Sequence, residues 1–174
     1  MMKNYISDLS RASKFRNISL FDEAQIKGNP VLRDRLELKY GKDEPVLPDI
    51  DNAIADYDFA NQKDAVIIAI ISCKTSLRER IAQACYWKIK LRECPKTEHI
   101  KVYLATSDND GDFELSDKGE KSRDRFIAEQ ELDGVYILKK DFKTEWENEK
   151  VKHYEKLFKD LVEALEKLYK KKQV

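Results

Sequence analysis

The stretch from Ala65 to Lys88, AVIIAIISCKTSLRERIAQACYWK, decides the fold of this protein. Its first part, AVIIAIIS, is short, continuously apolar and rich in isoleucine, which is typical of a strand buried on both faces. The apolar run ends at Ser72, Cys73 and Lys74. Because side chains alternate along a strand, Ser72 and Lys74 are predicted to lie on one face and Cys73 on the other.

A helix is predicted to follow this strand directly. Thr75 or Ser76 can cap the helix, and Glu79 stands three residues after Ser76, as in a capping box. The helix is expected to run to about Glu93 and to end before the next proline. The junction therefore joins a lysine at the end of a buried strand to the arginines of LRER, residues 77–80, which is an unusual way to build a core.

Further elements are predicted on both sides of this stretch. Residues 1–30 are predicted to form one or two helices, and Val31–Tyr40 a further helix that Gly41 ends. The other predicted elements are strands from Leu47, over His99–Ser107 and over Gly134–Lys139, helices over residues 119–131 and Glu145–Lys171, and a polar turn at Asn109–Asp112. This order predicts an α/β protein with a mixed central sheet of about four to five strands flanked by helices.

The length of 174 residues fits one domain with a single core. In this interpretation residues 1–45 form a helical N-terminal part, residues 46–140 form the core, and residues 145–172 form a closing helix. Neither an internal repeat nor a linker is evident in the sequence.

Charge is balanced overall but segregated along the chain. The formal net charge is zero, which argues against a polybasic nucleic-acid binder. Residues 43–58 contain six acidic residues and no basic one, whereas residues 74–101 contain eight lysines or arginines and three glutamates. Two blocks of opposite sign can bring metal-binding carboxylates and phosphate-binding cations into one cleft.

Cysteine content and hydropathy limit the class of protein. The three cysteines lack C-x-x-C spacing and only two histidines are present, so neither a disulfide framework nor a zinc site is predicted. The first residues, MMKNYISDLSRASKF, lack the apolar core of a signal peptide. No apolar run reaches the roughly 18–20 residues that span a bilayer. The sequence therefore predicts a cytoplasmic protein without a membrane segment.

The residues PDID, from Pro48 to Asp51, followed by the strand that ends in SCK, resemble the core of PD-(D/E)xK nucleases. In that superfamily one strand of a hairpin carries an aspartate and the next carries an acid-x-lysine. Asp49 lies 25 residues before Lys74 and Asp51 lies 23 before it. Both aspartates share a strand face, so spacing does not choose between them.

The resemblance explains the residue types at this site. Carboxylates hold Mg²⁺ through hard oxygen ligands. The metal neutralises charge on the scissile phosphate and lowers the pKa of a bound water. Lys74 would orient that water or stabilise the charge that develops on the phosphate, as a compact ammonium group can.

Ser72 narrows the resemblance, because most of the superfamily has an acid at this position. The pattern SCKTSLRERIAQ resembles the type II restriction endonucleases that recognise CCGG-centred sites and their relatives, in which Ser-x-Lys replaces acid-x-Lys. Together with PDID, the similarity covers about residues 48–90. It implies a catalytic set of Asp49, Asp51, Ser72 and Lys74.

The same resemblance implies a DNA-reading turn at the start of the helix. Arg78 and Arg80 would bind guanine edges in the major groove. Glu79 would accept from cytosine or orient the arginines. Gln83 belongs to the same pattern, and Lys88 would add a phosphate contact.

One position departs from the pattern. The CCGG-recognising enzymes place the relocated carboxylate about four turns past the lysine, and Lys88 occupies that position here. Because a lysine cannot bind a cation, the replacement ligand is either Glu79 or Glu37. Glu37 is favoured, since an upstream helical glutamate contributes to the site in several nucleases of this fold.

These residues imply a Mg²⁺-dependent type II restriction endonuclease that cuts double-stranded DNA as a homodimer and has a companion DNA methyltransferase. A repair or recombination nuclease of the same fold is an alternative, but it would not need guanine readers. A non-catalytic DNA-binding module is another, since Ser72 and Lys88 stand where acids are expected. Each residue also has a simpler interpretation, as a solvated strand-end lysine, turn aspartates or a charged helix face.

Overall fold

The computed structural model describes residues 17–40, 44–75 and 80–171. The strands within these ranges are β1 (Ile18–Asp22), β2 (Leu38–Tyr40), β3 (Glu44–Val46), β4 (Asn52–Asp56), β5 (Val66–Lys74), β6 (Lys101–Thr106), β7 (Gly134–Ile137) and β8 (Val151–His153). The α-helices are α1 (Glu23–Gly28), α2 (Pro30–Leu36), α3 (Arg80–Glu93), α4 (Arg123–Glu131) and α5 (Leu157–Lys171).

One sheet organises the fold. In the described part of the chain its six strands have the order β1-β4-β5-β6-β7-β8, while β2 and β3 pair as a separate ribbon. β1, β4 and β5 are antiparallel neighbours, and β5 to β8 are parallel neighbours. The predicted mixed α/β sheet flanked by helices is therefore confirmed, and the sheet has six strands where four to five were expected.

Helices cover both faces of the sheet. On one face α1 to α4 bury a core that includes Leu32, Leu36, Ile81 and Leu91. On the other face α5 packs through Leu157, Leu161 and Leu165. The apolar stripe of the last helix is thus explained by packing against the sheet.

The first described residues correct the predicted helical N-terminal part. Ile18–Asp22 forms a strand because its apolar residues Ile18 and Phe21 are buried while the segment pairs with β4. Asp22 then caps α1 in a capping box with Gln25. Residues 1–16 lie outside the described residues.

The helix predicted over Val31–Tyr40 is also too long. α2 ends at Leu36, and Glu37 has an extended backbone with ψ 127°. Residues 38–40 pair with Glu44–Val46 instead. The sequence spacing of apolar residues continues past Leu36, but the buried Leu38 is placed by β pairing and not by the helix.

Further boundaries differ from the prediction. The helix expected over residues 119–131 begins only at Arg123, after its N-cap Ser122. The strand expected from Leu47 begins at Asn52, after Pro48, whose nitrogen cannot donate to a ladder. The helix expected from Glu145 begins at Leu157, because Val151 is fully buried opposite Val135 at the end of the sheet. Pairing of an edge strand outweighs a helix-compatible sequence at this point.

A buried ion pair connects α3 to the sheet. Lys88 is 8% exposed, and its Nζ lies 2.6 Å from Asp133 Oδ2 and 3.1 Å from the Ile100 carbonyl. Asp133 also accepts from Lys101 Nζ at 2.8 Å and from the Val102 N–H at 2.9 Å. Burial lowers the pKa of Lys88, although Asp133 opposes this. Burial alone would raise the pKa of Asp133, but hydrogen bonds from Lys101 and Lys88 outweigh it and hold that pKa below its ordinary value.

We expect the substitution Asp133→Asn to lower the free energy of unfolding by about 3 kcal/mol at pH 7, because it leaves Lys88 buried without an anionic partner. Since the folded pKa of Asp133 is depressed, its stabilisation is present above the unfolded pKa of about 3.9 and is lost as pH falls through the folded value. Urea unfolding at pH 7 and near pH 3 should show the difference shrinking in acid. Asp34→Asn, at a carboxylate that is 70% exposed, is the control and should change stability by less than about 0.5 kcal/mol. A loss at Asp133 no larger than at Asp34 would contradict this assignment.

Candidate active site

Strand pairing brings Asp51, Ser72 and Lys74 to one face of the sheet. Asn52 pairs with Ile71, so the preceding Asp51 comes opposite Ser72. A bulge between Ile54 and Ala55 shifts the register once along this pair of strands. The alternation beyond the bulge places Ser72 and Lys74 on one face, as the sequence predicted, and this is the face that α1 to α4 cover.

Cys73 points to the opposite face. There, Asn52 Nδ2 donates to Cys73 Sγ at 3.6 Å. Asn52 follows Asp51 and Cys73 follows Ser72, so both side chains lie on the face opposite the cluster. Burial raises the pKa of the Cys73 thiol, and the nearby charge of Asp51 adds to that rise. Both effects favour the protonated thiol.

The carboxylate of Asp51 is the centre of the cluster. Its Oδ2 accepts from the Cys73 backbone N–H at 2.6 Å, from Lys74 Nζ at 2.9 Å and from Ser72 Oγ at 3.4 Å. Within the described ranges no residue donates to Oδ1 of Asp51. One oxygen thus fixes the carboxylate to the end of β5, and the other is available to a ligand.

Asp49 stands at the outer side of the cluster. Its Oδ2 lies 3.9 Å from Lys74 Nζ, so it contributes charge but no hydrogen bond to the lysine. The side chain of Lys74 is 10% exposed, while those of Asp51 and Asp49 are 34% and 42% exposed. The ammonium is therefore enclosed, and both carboxylates face outward where a cation and a phosphate could approach.

Glu37 is not brought to this cluster. It forms an ion pair with Arg33 at 2.8 Å, one turn earlier in the chain. It also lines a cavity with Lys90, Glu93 and Lys96, at the C-terminal end of α3. Because α3 runs back from the end of β5, this position lies at the opposite edge of the sheet from Lys74. Among the described residues no group of three or more His, Cys, Asp or Glu side chains could hold a metal ion.

The residues predicted to read DNA lie in different environments. Arg78 and Glu79 lie outside the described residues. Arg80 and Gln83 are exposed on the first turn of α3, while Ile81 on the same turn is buried. Lys88 is engaged by Asp133 inside the protein, so its side chain is not presented to a phosphate.

The loop after β6 begins beside the cluster. Thr106 pairs with Lys74, and Ser107 Oγ donates to the Thr75 carbonyl at 3.2 Å. Asp108 is fully buried and has a left-handed backbone conformation with φ 50°. Its carboxylate accepts a hydrogen bond from the Phe113 N–H at 3.1 Å, and burial raises its pKa. The turn expected at residues 109–112 is present, with Gly111 at φ 71°.

A buried arginine holds the far side of this loop. Arg125 of α4 is 1% exposed, donates to the carbonyls of Phe113 and Trp146, and pairs with Glu129 at 2.9 Å. The sequence analysis did not identify this residue, because the charged segment SRDRF gives no periodic signal that distinguishes a buried Arg125 from the exposed Arg123. Only the serine at the helix N-cap marks the local structure.

The cluster can be compared with known proteins at this point. A family model described as BsaWI restriction endonuclease type 2 matches residues 24–160, and this range contains the whole cluster. The chain belongs to this family. The resemblance read from PDID and SCKTSLRER is thereby confirmed at the level of type II restriction endonucleases.

Two curated relatives support the family assignment. The protein named "Putative type II restriction enzyme MjaVIP" of Methanocaldococcus jannaschii is 47% identical over 123 residues, which are 70% of this chain and 52% of that protein. The protein named "Probable type II restriction enzyme HpyAORF263P" of Helicobacter pylori is 45% identical over 74 residues, 42% of this chain and 35% of that protein. The chain thus spans about half the length, or less, of these relatives.

A solved structure also aligns with part of the chain. It is described as a complex of restriction endonuclease PspGI with substrate DNA, and it is 18% identical with a TM-score of 0.37 over 57% of this chain and 41% of that chain.

In the part of the chain that the structure describes, no helix is both long and apolar enough to cross a bilayer.

We expect Asp51→Asn to lower the free energy of unfolding by about 1–3 kcal/mol, because it removes the charge that accepts from Cys73 and Lys74 and leaves an enclosed ammonium without its anion. Asp49→Asn should change it by no more than about 0.5 kcal/mol, since Asp49 is exposed and makes only a long contact. Urea unfolding of both variants measures the difference. Equal losses would contradict the central position of Asp51.

Proposed function

We propose that this chain carries the catalytic site of a type II restriction endonuclease, which hydrolyses phosphodiester bonds in double-stranded DNA with Mg²⁺. The observation that carries the proposal is the contact of Asp51 with Lys74 at the end of β5, with Asp49 on the outer side. Membership of the BsaWI family supports it. Because DNA is the substrate, we place the protein in the cytoplasm.

The donor atoms fit a hard divalent cation. Restriction endonucleases of this kind generally use a divalent metal. Oδ1 of Asp51 and the outward carboxylate of Asp49 offer the oxygen ligands that Mg²⁺ prefers, and water and phosphate oxygens commonly complete its coordination. When bound, the cation would neutralise charge on the scissile phosphate and lower the pKa of the attacking water. Neither Glu37 nor Lys88 is needed for this set.

The protein's own groups would position the reacting atoms. Asp51 holds the Lys74 ammonium at 2.9 Å in an enclosed position, so the lysine loses little freedom when substrate arrives. From there the ammonium would stabilise the negative charge that develops on a phosphate oxygen, an effect that increases where water is excluded. Ser72 would keep Asp51 oriented through its hydroxyl at 3.4 Å and would not bind the metal itself.

The start of α3 would supply sequence recognition. Arg80 and Gln83 are exposed on its first turn, immediately after the strand that carries Lys74. Arginine binds the O6 and N7 atoms of guanine with two hydrogen bonds, and glutamine binds adenine in a similar way. With Arg78 and Glu79, whose sequence pattern suits the same role, they would read one half of a palindromic site. We propose that a second copy reads the other half and that a companion methyltransferase protects the host DNA.

Cleavage of unmethylated plasmid and phage DNA with Mg²⁺ tests the proposal. Discrete fragments are expected, and they should disappear when EDTA is added. Lys74→Ala should slow cleavage by at least about 10²–10³-fold, because it removes a group that acts on the transition-state charge. Lys27→Ala, at an exposed lysine paired with Glu23, is the matched control and should cleave normally.

Other outcomes of the same assay would overturn the proposal. A continuous smear of products that depends on Lys74 would indicate a repair-type nuclease without sequence recognition. Binding of DNA with no cleavage on any substrate would indicate a non-catalytic module.

The recognition role gives a separate prediction. Arg80→Ala should weaken binding to the cleaved sequence by about 5- to 150-fold, the effect of losing one base-specific contact. Binding to unrelated DNA should change less, and unfolding in urea should be unaffected because Arg80 is exposed. Binding is measured with labelled duplexes in EDTA. Arg92→Ala, at the other end of α3, is the control, and an equal loss of affinity for all sequences in Arg80→Ala would rule out base reading.

A further inference from the structure

A cavity of about 470 Å³ lies at the edge of the sheet opposite the candidate active site. It is formed where β5 begins, beside Val66 and Ile67, whereas Lys74 ends the same strand. Eight residues of strand separate Val66 from Lys74, which corresponds to about 26 Å. The cavity is therefore too remote to belong to the phosphodiester site, and its lining requires a separate explanation.

The polar lining of the cavity is predominantly cationic. Arg35, Lys63 and Lys96 line it together with His99, and Asp64 is the acidic residue of the lining. The carboxylate of Asp64 already accepts from Asn61 Nδ2. An excess of positive charge within one concave site favours an anionic ligand.

The cations of this cavity are incompletely neutralised by the protein. Arg35 donates through one terminal nitrogen to the Lys63 carbonyl at 2.7 Å, and its Nε is buried without a hydrogen-bond partner among the described residues. Lys96 Nζ donates to the backbone carbonyl of Asp34, whose carboxylate lies 3.9 Å away and is 70% exposed. The other terminal nitrogen of Arg35 lies 3.9 Å from Asp34 Oδ2, too far for a hydrogen bond, and the side chain is 38% exposed. An oxyanion in the cavity would offer this guanidinium a closer anionic partner.

The remaining lining sets the size and character of the ligand. Ala65, Val66, Ile67 and Leu168 add an apolar wall to the cationic side. The volume is within the range of about 300–1,000 Å³ that is common for small-molecule sites. A cavity of this size is larger than a lone phosphate ion fills. A guanidinium fork and an ammonium group suit a phosphate better than a single carboxylate, because a phosphate offers three acceptor oxygens.

We propose that this cavity binds a small phosphorylated molecule of about mononucleotide size, with its phosphate at Arg35 and Lys96 and its less polar part against the apolar wall. The site is distinct from the candidate active site and does not depend on the proposed function. The shared chemistry is the phosphate group, whose source is either free phosphate or a nucleotide.

Calorimetric titration of the full chain in EDTA tests the proposal, with adenosine 5′-monophosphate, inorganic phosphate and adenosine as the probes. We expect the mononucleotide to bind more tightly than inorganic phosphate and adenosine not to bind. Arg35→Gln and Lys96→Gln should each weaken mononucleotide binding about tenfold or more, the loss of one charge-assisted hydrogen bond. Arg35→Lys keeps the charge without the fork and should fall between Arg35→Gln and the unmodified protein.

Two control variants locate the binding. Lys27→Gln removes an exposed charge elsewhere, and Lys74→Ala removes the cation of the candidate active site, so neither should change the affinity. Circular dichroism and thermal unfolding of every variant exclude loss of fold as the cause. Unchanged affinity in Arg35→Gln and Lys96→Gln, or no binding of any phosphate probe at millimolar concentration, would overturn the site. Equal affinity for inorganic phosphate and adenosine 5′-monophosphate would overturn the assigned ligand size. Binding of duplex DNA at this cavity with no binding of the mononucleotide would overturn the proposal and assign the cavity to nucleic acid.

Discussion

The contact of one carboxylate oxygen of Asp51 with the end of β5 is the interaction on which the candidate site depends. That oxygen accepts a backbone N–H from Cys73 and an ammonium proton from Lys74. The first contact holds the beginning of β4 against the end of β5, and the second sets the direction of the lysine. A shift of one residue in the pairing would move Lys74 to the other face of the sheet, where α5 packs. The bulge between Ile54 and Ala55 is therefore part of the site as much as of the fold.

Buried polar contacts attach α3 and α4 to the sheet and its loops. Lys88 and Asp133 join α3 to the loop before β7, while Arg125 joins α4 to the loop after β6 and to the segment around Trp146. The ion pairs Lys88–Asp133 and Arg125–Glu129 are both enclosed, so removal of either partner would leave a buried charge without its counter-ion. The first of these contacts anchors α3, the helix whose first turn carries Arg80 and Gln83, to the sheet. Under the proposed function, such anchoring would position α3 relative to the strand that carries Lys74.

How much the sequence could predict follows from the kind of signal each element carries. β5, β6 and β7 were predicted because short apolar runs are typical of buried strands, and the alternation of Ser72, Cys73 and Lys74 followed from strand geometry alone. β1 and β8 were missed because edge strands are short and partly polar, and only their pairing with β4 and β7 places them. Glu37 and Lys88 show the limit for the site. Their residue types suited a metal ligand and a phosphate contact, but Arg33 and Asp133 already engage them. The partner of Lys88 is distant in sequence and cannot be read from composition. Arg33 is only four residues before Glu37, and what the sequence did not reveal is that Glu37 lies at the opposite end of β5 from Lys74.

Binding of Mn²⁺, a paramagnetic substitute for Mg²⁺, would test the central claim most directly. Electron paramagnetic resonance would follow a titration of the unmodified protein, Asp51→Asn and Glu37→Gln in the absence of DNA. The account predicts that the unmodified protein and Glu37→Gln bind Mn²⁺ with the same affinity. The affinity of Asp51→Asn should be about tenfold or more lower, because the Asp51 carboxylate supplies the inner ligand. Loss of binding in Glu37→Gln, or unchanged binding in Asp51→Asn, would contradict the assignment of the metal site to the carboxylates beside Lys74.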